Sequence, residues 1–181
     1  EVYSSFFEKL RESRNIDYEI LVVINGTKDK TENVVKEYIK KNKKIRYLNF
    51  KRGGKGFAVI EGFKDALKRQ NELIGFVDAD LATKPEHFYD LVREIGDFDG
   101  AIASRAMKAS VVKTSGLRRI NSRGFNWVVR LLLFLPYHDT QCGAKVFKRS
   151  AIESIAECSI EAQWAFEVDL LYNLKKKGFS I

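Results

Sequence analysis

Short apolar runs alternate with amphipathic stretches along almost the whole chain, and that alternation limits the fold more than any other feature. Brief apolar runs closed by polar turns read as buried strands, whereas apolar residues at i, i+3 and i+4 read as helices. The pattern predicts strands at Tyr18–Ile24, Ile45–Phe50, Leu73–Val77, Gly100–Ala103 and Gly143–Phe147, and the start of another at Phe179–Ile181. It predicts helices at Tyr3–Arg14, Thr31–Lys41, Gly56–Gln70, Pro85–Ile95, Leu117–Phe134, Ser150–Ala156 and Trp164–Lys177. Strands joined through helices become parallel neighbours. The expected architecture is therefore α/β, a mostly parallel sheet with helices on both faces. With 181 residues, 45% of them hydrophobic, and no repeat or linker, residues 1–181 read as one domain with a core of its own.

Composition removes several function classes. No apolar run approaches the ~20 residues of a membrane span, and no signal-peptide pattern opens the chain. The two cysteines, Cys142 and Cys158, are too far apart for a CxxC site, and His87 and His138 lack zinc-ligand spacing. A reduced, cytoplasmic setting is the default. The net charge of +8 favours anionic partners such as phosphates or an acidic membrane surface. Nucleic acid is not expected, because the aromatics of a base-stacking platform are not interleaved with the basic residues. Lys36, Lys40, Lys41, Lys43 and Lys44 read as a solvated helix end.

The chemistry concentrates at strand ends. Ile74-Gly75-Phe76-Val77-Asp78-Ala79-Asp80 is an apolar run ending in two carboxylates. On extended backbone, residues i and i+2 share a face, so Asp78 and Asp80 can close on one hard cation that also holds a diphosphate. An acidic pair also decorates ordinary turns, so its place after a strand and downstream of a glycine-rich loop gives it weight. That loop, Arg52-Gly53-Gly54-Lys55-Gly56, lies between a strand and a helix. Its glycines allow close backbone approach, and the helix start offers amides to an anion; a tight left-handed turn is the alternative. Asn25-Gly26-Thr27-Lys28-Asp29 follows the first of these strands, where Asp29 or Thr27 caps the next helix and Asn25 can touch a nucleoside. Arg105 follows a strand, and Arg118, Arg119, Ser122 and Arg123 gather at a helix start. Positive side chains are unfavourable with the dipole there, which favours a bound phosphate over plain surface charge. Trp127–Leu135 reads as a buried helix segment, with a lipid contact as the alternative.

Taken in order, these segments resemble glycosyltransferase family 2, and within it the polyprenyl- and dolichyl-phosphate sugar transferases. The likeness is carried by NGTKDKT, RGGKGFAVIEGF, FVDADLATKPE, ASRA, RRINSRG, DTQCGAKVFKRSA and WAFEVDLL, which span nearly the whole chain. It implies a GT-A fold, a nucleotide-sugar donor, Mg2+ or Mn2+ and a lipid-phosphate acceptor, at the cytoplasmic face of a membrane. By position, Asp78 and Asp80 match the metal and diphosphate pair; Arg105, Arg118 and Ser122 match positions that hold acceptor or donor phosphates, and Arg119 stands beside them as a further candidate. Lys55 and Gly56 fall in the donor-side glycine loop. Gln141 and the Glu167/Asp169 region fall where the family lines its sugar pocket.

Four departures stand out. Asn25 replaces the usual nucleobase-reading Asp, and Ile24 the polar residue before it. Ala82 stands where the mannose synthases carry Gln, in agreement with the glucosyl branch. Glu167 and Asp169 reverse the commoner acid order. The family's opening strand has no counterpart before Glu1, and the chain stops where a further strand is expected, so an excerpt of a longer protein is anticipated.

The acceptor decides the mechanism expected. A sugar hydroxyl must lose a proton as it attacks, so it needs a general base; Asp139 is the candidate if the acceptor is a soluble or polysaccharide hydroxyl. A lipid monophosphate is already ionised, with a second pKa of about 6, and needs only positioning. The arginines suit the second case. The expectation is a single displacement with inversion, Asp80, Arg118 and Arg105 carrying the catalytic load.

Overall fold

The computed structural model describes residues 16–80, 82–104, 133, 135–137, 139–156 and 165–181. Two sheets appear among them. Strand β1 (Ile20–Asn25) pairs in parallel with β2 (Ile45–Phe50), Ile20 opposite Ile45 and Asn25 opposite Phe50. Helix α1 (Thr31–Lys41) makes the crossover. Its Val35 packs with Val22, Ile24 and Ile45 into a small core beneath the pair. The helix begins at an N-cap of Lys30 with no side-chain cap, so neither Asp29 nor Thr27 caps it as expected. Asp29 Oδ1 instead accepts the Thr31 amide at 2.8 Å, a local turn into the helix.

The second sheet has the order β3-β5-β4, from β3 (Leu73–Val77), β4 (Gly100–Ile102) and β5 (Ala144–Lys148). Helices α2 (Lys55–Ala66) and α3 (Pro85–Glu94) lead into and out of β3. Helices α4 (Arg149–Ile155) and α5 (Phe166–Lys176) follow β5. Neighbouring strand residues point to opposite faces, which locates the layers. A side chain at Gly75 would meet the Phe88 ring of α3, whereas Phe76 stacks against Phe63 of α2 and Phe166 of α5. Helices therefore cover both faces, and the main core of Phe63, Ile74, Phe147, Ile152, Phe166 and Leu170 lies on the α2/α5 side.

One expectation needs amending. Strand β5 runs antiparallel to both β3 and β4, so parallel pairing holds for β1 and β2 and not for the ladders of the second sheet. The reversal has a plain cause. The chain leaves β4 at Ala103 and comes back beside it, and the Ala103 amide bonds to the Ala144 carbonyl at 3.0 Å. A strand that re-enters at the edge it left must run backwards.

Residues Phe179–Ile181 form no strand. The segment is tied down by Ser180, whose amide and hydroxyl both donate to Asp99 Oδ2 at 2.9 Å. The expected helix at 3–14, and that at 117–134 apart from residue 133, lie outside the described residues. Among the described residues, no helix is long and apolar enough to cross a membrane.

Candidate active site

The glycine loop is locked to the loop after β1. Gly26 has φ +60°, and a side chain there would meet the Gly53 Cα at 2.7 Å, so the two loops touch through bare backbone. Asn25 Oδ1 accepts the Gly54 amide at 2.8 Å, and the Gly26 amide donates to Phe50 O at 2.9 Å. Gly54 itself has φ +129°, a conformation that L side chains avoid and that turns the chain into α2. Arg52 stacks on Phe57, 4.8 Å from the ring centroid.

This construction places Lys55 at the first residue of α2, where Nζ reaches Asp78 Oδ2 at 2.6 Å and Glu167 Oε1 at 2.8 Å. The contact brings the C-terminal edges of β2 and β3 to one side of the molecule, where α/β sheets bind ligands. Burial pulls the Lys55 pKa down, but its hydrogen bonds to the Asp78 and Glu167 carboxylates outweigh it and leave the pKa raised. Lys55 is thus a fixed positive charge at a helix start, and both favour an anion.

Asp78 is held from a second side. Its amide donates to Gly143 O at 2.8 Å, one step beyond the Val77–Ala144 pair of the ladder. A Cβ on Gly143 would overlap the Asp78 carboxylate, so glycine is what leaves the carboxylate room in its present position. Here the reversal of β5 has its effect: it sets the Thr140–Gly143 turn, with Gln141, against the end of β3. Asp139 and Thr140 in this segment are buried, at 3% and 0% exposure. Asp80 is exposed, and its Oδ1 accepts the Ala82 amide at 2.9 Å.

The structure brings together Asn25, Lys55, Asp78 and Glu167, together with the turn carrying Gln141. Gly56 is buried in the first turn of α2. Asp169 does not join them. Two residues along a helix are separated by about 200°, so Glu167 faces Lys55 while Asp169 accepts the Asn173 side-chain amide at 2.9 Å. Arg105, Arg118, Arg119 and Ser122 lie outside the described residues.

Sequence reasoning missed Lys145, a lysine in a strand that would ordinarily face water. It is 0% exposed, donates to the Cys142 carbonyl and lies 3.7 Å from Glu167 Oε1. Burial holds its pKa below the ordinary lysine value, against the opposing pull of Glu167. The only signal was its place in the DTQCGAK run.

Residues 4–156 match glycosyl transferase family 2, and the chain belongs to that family. The α/β architecture with its ligand edge is consistent with the GT-A fold. Among similar proteins, the dolichyl-phosphate beta-glucosyltransferase of Dictyostelium discoideum is 35% identical over 96% of this chain and 56% of its own length. The human protein of the same name is 34% identical over 93% of this chain and 55% of its own. Glycosyltransferase AglD of Haloferax volcanii is 30% identical over 91% of this chain and 26% of its own. The chain thus spans about half the length of the first two and about a quarter of the third.

Proposed function

We propose that the protein is an inverting glycosyltransferase that moves a hexose from a nucleotide sugar to a polyprenyl or dolichyl phosphate at a membrane surface. The observation that carries this reading is the Lys55–Asp78–Glu167 cluster at the ligand edge of a family-2 chain. Relatives at 34–35% identity over more than nine-tenths of the chain carry the dolichyl-phosphate glucosyltransferase name.

The residues suit Mg2+ or Mn2+. Mg2+ is commonly bound through one or two carboxylates, with substrate phosphates completing its shell. Asp78 and Asp80 would supply that pair, Asp80 being exposed at the mouth of the turn with one oxygen on the Ala82 amide. Asp78 now holds the Lys55 ammonium, so an ion bound there would take the carboxylate over from Lys55 and leave that lysine facing the phosphates. When bound, the ion would neutralise the departing nucleoside diphosphate as a Lewis acid. The chain's own groups do the rest. Lys55 and the α2 start face the diphosphate, the Asn25–Gly54 contact shapes the nucleoside side, and Gln141 and Glu167 border the sugar. Arg118, with Arg105, Arg119 and Ser122, aims the acceptor phosphate. An acceptor oxygen already ionised forms the new bond to the anomeric carbon as the bond to the diphosphate oxygen breaks, with inversion and no proton to remove. The buried position of Asp139 argues against the hydroxyl-acceptor alternative, whose base must meet the acceptor.

The test is transfer by the intact protein from a panel of nucleotide sugars, with polyprenyl phosphate or free sugars as acceptor, with and without Mn2+. Metal-dependent glycosyl-phospholipid formation is expected, abolished in Asp80→Ala. Transfer only to sugar hydroxyls would overturn the proposal.

A further inference from the structure

The roles argued so far leave Lys145 unused. A fully buried ammonium requires polar partners, and among the described residues each of the two it touches leads to Asp78. One is the Cys142 carbonyl; the adjoining Gly143 carbonyl accepts the Asp78 amide at 2.8 Å. The other is Glu167, whose Oε1 also holds Lys55 at 2.8 Å, and Lys55 in turn holds the Asp78 carboxylate at 2.6 Å. The Phe76 ring, two residues before Asp78, lies 5.5 Å from the Lys145 Nζ and 5.9 Å from the Lys55 Nζ, so one aromatic spaces the two ammoniums.

We propose that Lys145 is a positioning residue of the donor site. It holds the Cys142–Gly143 turn with one contact and Glu167 with the other, and so sets both the main chain and the carboxylate of Asp78. An apolar side chain of similar volume would fill the same space and hold neither partner. Keeping a charge where burial opposes it is the cost of that positioning. The inference rests on the reading of Asp78 as a donor-binding residue.

The experiment compares the intact wild-type protein with Lys145→Met by calorimetric titration of UDP and GDP, each with Mn2+, and by acceptor kinetics with a polyprenyl phosphate. Lys145→Met is expected to unfold cooperatively, to bind the preferred diphosphate about tenfold more weakly or worse, and to keep the acceptor KM within twofold. Diphosphate binding within twofold of wild type overturns the inference, as does an equal loss in acceptor KM. If Lys145→Met does not fold, Lys145→Gln is read by the same criteria. A wild type that binds neither diphosphate overturns the donor-site reading and this inference with it. Unchanged binding in the variant alone overturns only the role of Lys145.

Discussion

Replacing Gly143 by Ala tests the site most directly, because the added methyl lands on the Asp78 carboxylate. The clash can be relieved in two ways. Separating the backbones would disturb the 2.8 Å Asp78–Gly143 bond and the adjoining Val77–Ala144 pair, an overpacking cost of about 1–3 kcal/mol. Rotating Asp78 instead breaks its bond to Lys55. Those side chains are 32% and 43% exposed, so that loss is about 1 kcal/mol at most. Rotation is the cheaper route. Gly143→Ala should therefore lose only about 1 kcal/mol in urea denaturation while its carboxylate is displaced. A displacement on the order of 1 Å costs roughly 100-fold in rate, so single-turnover transfer should fall by about that factor. A transfer rate within threefold of wild type, in a variant that folds, would refute the reasoning.

Three further outcomes are expected. Lys55→Met leaves Asp78 and Glu167 without their shared ammonium and should lower stability by about 1–2 kcal/mol, between exposed and buried pairs; an unchanged urea midpoint would contradict the bridge. Gly62→Ala lies inside α2 with its new methyl 3.4 Å from Val23 Cγ2, so it should stabilise by about 0.5–1 kcal/mol, visible as a higher Tm. The Ser180 amide, then its hydroxyl, hold the Asp99 carboxyl below its ordinary range. A depressed folded pKa contributes stability that is present above the unfolded value of about 3.9 and lost as pH falls through the folded one. Asp99→Asn should remove that part of the acid dependence and speed exchange of the Ser180 amide; identical acid limbs for the two proteins would count against the contact.

How much of this was legible in the sequence depends on how local each signal is. Thr31–Lys41, Ile45–Phe50 and Leu73–Val77 have the predicted bounds, because their periodicity and breakers lie within the element. The direction of β5 was not legible, since a buried strand reads alike in either direction and only its partners orient it. The same limit hid Lys145, whose burial is decided by Glu167 and the Cys142 carbonyl, brought to it by folding. Asp78, Lys55 and Glu167 were legible as candidates, but their convergence was not: Lys55 and Glu167 are 112 positions apart. Nor could a run of acids show which helical face each occupies: Glu167 turns to Lys55, and Asp169 to Asn173.

The chain departs from the second sheet at Ala103 and rejoins it at Gly143–Ala144, and both points are stitched to the same neighbourhood, Ala103 to Ala144 and Gly143 to Asp78. The two ends of the intervening stretch therefore lie at adjoining stitches. Because the segment leaves and returns at one place, a change of length between Ser104 and Leu133 need not move the β5–β3 ladder that holds Asp78.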